Sequence, residues 1–143
     1  MIGLVLATHG ELGRAFIGAM EMIVGVQPQV AALSLQVADR LEDATSRLQQ
    51  AIEQADEGDG VLVLTDMLGG TPSNLCLALI GGARPVEVVS GVSLPMLLKA
   101  VQVRRDSSLQ ESAALVKKVG RSAIIVASEV LAGPGSAAAD SRP

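Results

Sequence analysis

Short continuous apolar runs alternate along this chain with stretches in which apolar residues return every three or four positions. The first run, Met1-Ile2-Gly3-Leu4-Val5-Leu6-Ala7, ends at Thr8-His9-Gly10 and predicts a buried strand. Over residues 11–24, Leu12, Phe16, Ala19 and Ile23 recur at helical spacing, and Gly25 ahead of Pro28 closes that helix. A second strand is predicted over residues 30–37. Asp39 with Glu42 then predicts a capping box for a helix that turns Leu41, Ala44, Leu48, Ile52 and Ala55 inward. The turn Glu57-Gly58-Asp59-Gly60 leads into Val61-Leu62-Val63-Leu64-Thr65, a strand apolar on both faces that stops at Asp66. Past Gly69-Gly70, Thr71 and Pro72 stand as N-cap and first helical residue of a helix carrying Leu75, Cys76, Leu79 and Ile80, ended by Gly81-Gly82. Residues 86–89 predict a fourth strand, followed by a helix with Pro95 in its first turn and Leu94, Leu97, Leu98 and Val101 inward. Ser108 and Glu111 form a second capping box for a helix through Val119, and residues 124–127 predict a fifth strand.

Strands alternating with helices imply right-handed crossovers and a parallel sheet with helices on both faces, a three-layer α/β sandwich. In the order 2-1-3-4 the first and third strands are neighbours, about 4.8 Å apart. His9, Asp66 and the turn at residues 90–93 then share one edge of the sheet, the edge where open α/β sheets present reactive groups. We expect one domain over residues 1–130 and a flexible tail over 131–143, which is rich in Gly, Ser, Ala and Pro.

The composition narrows the chemistry. The chain has 143 residues, 49% of them hydrophobic but only 1% aromatic, so its core must be aliphatic. Eleven Lys and Arg against 15 Asp and Glu give a net charge of -4, with no basic block, which disfavours phosphate-backbone binding and anionic membranes. No apolar run approaches the roughly 20 residues of a membrane span. The first segment lacks the basic start of a signal peptide, and a single cysteine, Cys76, excludes an internal disulfide; both readings fit a reducing cytoplasm. One His and one Cys make a poor zinc set.

The sole histidine is the candidate nucleophile. Asp66 is placed to hold one ring nitrogen of His9, which would fix the tautomer and leave the other nitrogen free. Gly69 and Gly70 allow close backbone approach, and the helix starting at Pro72 offers amides to an anion. Each feature also has an ordinary reading: Asp66 as a cap, Gly69-Gly70 as a tight turn, Cys76 as a small core residue. Met67, Leu68 and Met96 suit either core packing or an apolar docking rim. The sequence has neither a G-x-x-x-x-G-K-[ST] loop nor a G-x-G-x-x-G fingerprint. Gly91-Val92-Ser93-Leu94-Pro95 departs from a nucleophile elbow at its second glycine.

Three segments in this order, Thr8-His9-Gly10, Asp66-Met67-Leu68-Gly69-Gly70-Thr71-Pro72-Ser73-Asn74 and Gly91-Val92-Ser93-Leu94-Pro95-Met96-Leu97, resemble the enzyme IIA domain of the mannose family of the bacterial phosphoenolpyruvate-dependent sugar phosphotransferase system. The resemblance implies a phosphoryl relay without nucleotide, metal or other cofactor. His9 would be phosphorylated by the phosphocarrier HPr, on Nε2, and would pass the group to a separate enzyme IIB protein. Asp66 would orient the ring, while Gly69, Gly70 and Thr71 would meet the phosphoryl oxygens. It further implies a cytoplasmic homodimer in which the fifth strand is antiparallel at the sheet edge and exchanged between subunits. Leu68 stands where the family motif is often aromatic, which points to a different docking preference. A regulatory module switched by the same phosphorylation, or a phosphoryl-donor subunit like that of dihydroxyacetone kinase, is the alternative.

Overall fold

The computed structural model describes residues 1–67 and 71–133. Four strands, β1 (Gly3–His9), β2 (Val30–Leu35), β3 (Val61–Thr65) and β4 (Val86–Ser90), form one all-parallel sheet in the order β2-β1-β3-β4. Its register sets His9 opposite Leu35, Ala7 opposite Thr65, and Thr65 opposite Ser90. Asp66, one residue past Thr65, therefore emerges beside the end of β1. The helices are α1 (Leu12–Val24), α2 (Leu41–Ala55), α3 (Thr71–Leu77), α4 (Leu94–Val103), α5 (Leu109–Ser122) and α6 (Ala127–Leu131).

Strict alternation along the central strands divides the core in two. Val5, Ala7, Val61 and Val63 face Ala44, Leu48, Ile52 and Ala55 of α2 and Cys76 of α3. Leu4, Leu6, Leu62 and Leu64 face Met20 of α1, Met96, Leu97 and Ala100 of α4, and Val116 of α5. Cys76 is fully buried, and burial pushes its thiol up to about 12, so it stays a protonated packing group. Met96 belongs to this core, whereas Met67 is exposed.

The predicted elements need four corrections. Helix α1 buries Gly13 and Met20 and half-buries Phe16 and Ile17, while Leu12 and Ile23 face out. The close-packed turn is built on a glycine, which carries no hydropathy signal. Before α2 the Asp39 carboxylate accepts from Gln36 N–H (2.8 Å) and from Arg47, so it closes the preceding turn and the helix has no side-chain cap. Helix α3 ends at Leu77, because Leu79, Ile80 and Gly82 bond three residues back in tightening turns around Gly81, whose φ is +82°. Ser108 does cap α5, accepting from Glu111 N–H at 3.1 Å.

The fourth correction concerns the expected fifth strand. Residues 124–126 pair with no strand among the described residues, and residues 127–131 coil into α6. A strand needs a ladder partner, and the described residues supply none there. Ile124, Ile125, Val126, Val130 and Leu131 are all exposed. Of the expected tail, residues 134–143 lie outside the described residues.

At the opposite pole from His9 lies Arg104, only 2% exposed. Its guanidinium donates to the carbonyls of Pro28 (2.8 Å), Gln29 (3.4 Å) and Ile2 (3.5 Å), joining the end of α4 to the starts of β1 and β2. Among the described residues no helix is long and apolar enough to cross a membrane.

Candidate functional site

His9 is the last residue of β1, where the strand leaves the core: residues 3–8 are buried and His9 is exposed. Its backbone is held from both neighbouring strands. The His9 N–H donates to Asp66 Oδ2 at 3.0 Å, and the next N–H, of Gly10, donates to Leu35 O at 2.8 Å. Gly10 then turns the chain with φ +51°, a left-handed conformation that suits glycine.

The ring is held by the same carboxylate. Asp66 Oδ2 lies 2.8 Å from His9 Nδ1, and Asp66 Oδ1 accepts from Met67 N–H at 3.0 Å. Partial burial pushes the Asp66 carboxyl up, but the backbone and ring N–H donors of His9 outweigh it, and the net result lies below the usual carboxylate value. An ionised carboxylate can only accept, so Nδ1 carries the proton and Nε2 the lone pair. The His9 side chain is 52% exposed and that of Asp66 only 14%: the orienting group is sheltered and the ring is open to an incoming molecule.

A cavity of about 430 Å³ opens beside the ring, lined by His9, Gly10, Leu35, Gln36, Val37, Asp39, Leu41, Ala44 and Thr71. Thr71 opens α3 and lines the cavity with an exposed side chain. Gly69 and Gly70, expected to complete the anion site, lie outside the described residues, as does Leu68. The turn at residues 90–93 reaches the same sheet edge but does not line this cavity; Ser93 caps α4 instead, accepting from Met96 N–H at 3.4 Å. Leu41, expected in the core, is exposed at the cavity rim with Val37. No group of three or more His, Cys, Asp or Glu is arranged for a metal ion among the described residues.

One neighbour of the site carried no role in the sequence reading. Thr8 is fully buried, and its Oγ1 accepts from Gly13 N–H at 2.7 Å, tying the first turn of α1 to β1. Only the Thr-His-Gly tripeptide marks it in the sequence. Its partner is a backbone amide, invisible in side-chain patterns.

A family model described as the PTS system fructose IIA component matches residues 3–117. The mannose-specific EIIAB component of the PTS system of Escherichia coli (strain K12) is 30% identical over 124 residues, which cover 86% of this chain but 38% of that protein. The chain thus spans well under half the length of that relative. The fructose-specific EIIA component of Bacillus subtilis (strain 168) is 27% identical over 142 residues, covering 99% of this chain and 97% of the relative. The crystal structure of phosphotransferase system component EIIA from Streptococcus agalactiae superposes with a TM-score of 0.82 at 28% identity, over 90% of this chain and 98% of that one. On its parallel sheet, the motifs at the sheet's carboxyl edge and these likenesses, the chain belongs to the mannose-type EIIA family of phosphotransferase system components.

Proposed function

We propose that His9 is the phosphorylated residue of a protein-to-protein relay, taking a phosphoryl group from phospho-HPr and passing it to an enzyme IIB protein. The observation that carries this reading is the 2.8 Å contact between Asp66 Oδ2 and His9 Nδ1, which leaves Nε2 as the free nucleophile at an open cavity. In the transfer step the Nε2 lone pair forms a bond to phosphorus while the donor's P–N bond breaks, and the donor nitrogen leaves with the bonding pair. The His9 ring gains positive charge as that bond forms. Asp66 faces the Nδ1–H of the same ring, where an ionised carboxylate stabilises the charge. The reverse displacement delivers the group to the acceptor, with the proton on Nδ1 throughout. Thr71, with Gly69 and Gly70, is assigned to the phosphoryl oxygens.

The exposed apolar side chains of Val37, Leu41 and Met67 near His9 suit transient docking of the donor and acceptor proteins. The exposed Ile124, Ile125, Val126, Val130 and Leu131 suit burial against a second copy of the chain, and we assign them to a homodimer in the cytoplasm. Incubation with labelled phosphoenolpyruvate, enzyme I and HPr tests the relay. Acid-labile, base-stable label should appear on the wild type and vanish in His9→Ala. Undiminished label in that variant overturns the assignment.

A further inference from the structure

Only Gly10 and Glu11 connect β1 to α1, so any movement of the helix start is passed directly to His9. Helix α1 nevertheless lacks the usual means of fixing that end. Glu11 stands at its N-cap with no side-chain cap bond, and the first turn contains no acidic residue. The anchor comes from the sheet instead. Thr8 Oγ1 accepts from Gly13 N–H at 2.7 Å, a buried bond spanning five residues. Gly13 has no side chain to hold the backbones apart: a Cβ there would lie 3.1 Å from Thr8 Oγ1 and 3.3 Å from Leu6 Cβ. Ser34, opposite Thr8 on β2, adds a weaker second tie, its Oγ accepting at 3.4 Å from Arg14 Nε, which also pairs with Glu11 at 3.2 Å.

We infer that Thr8 is a positioning residue for His9: its buried hydroxyl locks the first turn of α1 to β1 and so holds the imidazole in the orientation that Asp66 completes. Three bonds then hold the backbone around the ring, His9 N–H donating to Asp66 after β3, Gly10 N–H to Leu35 O of β2 and Gly13 N–H of α1 to Thr8, while Asp66 also holds the ring itself. The inference deepens the relay reading and rests on it for its functional consequence. The ring geometry itself is measurable without any phosphoryl donor.

Because His9 is the sole histidine, the ¹⁵N spectrum of its ring is unambiguous. In Thr8→Val, which keeps the shape of the side chain and loses the acceptor, we expect a lower share of the Nδ1–H tautomer and faster amide exchange at Gly13. Phosphoryl uptake from phospho-HPr should slow by about 10- to 100-fold, the scale of a small misplacement of a reacting group. Thr8→Ser, which restores the acceptor, should restore both readouts. A Thr8→Val protein with the wild-type ring spectrum and uptake rate overturns the inference. If the wild type takes up no phosphate, an altered ring spectrum in Thr8→Val still supports positioning while the relay reading fails. If Thr8→Val does not fold, Gly13→Ala decides by the same two readouts, since its Cβ pushes the helix start away from an intact Thr8.

Discussion

Two aspartates bracket β3, and local chemistry alone would make them twins. Asp56, at the end of α2, accepts from Gly58 N–H (2.8 Å) and Gly60 N–H (3.2 Å) and pairs with Arg84 at 2.9 Å. Asp66, after β3, accepts from His9 N–H, Met67 N–H and the His9 ring. Both carboxyls lie below the usual range: Asp56 chiefly through the Gly58 amide, helped by Arg84 and Gly60 against a desolvation cost, and Asp66, which burial pushes up, through the His9 donors that together outweigh it. The partner is what separates them. Asp56 holds a cation that is always charged and closes a turn, so its bonds are satisfied permanently. Asp66 holds a group that can change its proton and its covalent state while the carboxylate stays put. One architecture, a carboxylate receiving backbone amides at the end of an element, serves a joint in one place and a reactive ring in the other.

The sharpest way to break the pairing is at Asp66. Asp66→Ala should slow phosphoryl uptake by about 100-fold through loss of ring orientation. It should lower the stability by no more than about 1 kcal/mol in urea titration, because the freed amides lie close to solvent. Next comes the mirror image. The Asp56 side chain is only 6% exposed, and Asp56→Ala strands two glycine amides and Arg84, so it should cost about 2 kcal/mol while leaving phosphoryl uptake at the wild-type rate. The smallest effect is shared. Each folded carboxyl binds its proton less readily than in the unfolded chain, so the unfolded state takes up protons first as pH falls. The stabilisation from both is therefore complete well above pH about 4 and drains away as pH drops through that value toward the folded pKa. Urea midpoints between pH 6 and 3 should fall accordingly, and Asp56→Asn should flatten the slope.

The parallel sheet was legible because its strands are apolar on both faces, and a run such as residues 61–65 has no amphipathic alternative. His9 and Asp66 were legible for a topological reason: once β1 and β3 are neighbours, the residues after their ends must meet. What escaped prediction lies where one residue type has two physical uses. A buried arginine reads as surface, yet Arg104 spends its donors on three carbonyls. Asp39 reads as a helix cap, yet its carboxylate bonds backward to Gln36. Residues 124–126 have β-branched strand character, yet no strand among the described residues pairs with them.

The central place of β1 carries a consequence for synthesis. When β1 is made both its neighbours are yet to come, and the second of them, β3, begins only at Val61. Arg104, which fastens the amino end of β1, reaches across 102 positions to Ile2. A nascent chain thus carries its histidine as soon as β1 is made but cannot orient it until residue 66 is in place. It cannot secure the strand beneath the histidine until α4 has been made. Reactivity should arrive late and together with the fold, so that a ribosome-bound fragment ending before residue 66 displays an imidazole with no fixed tautomer and an apolar first strand still awaiting its ladder.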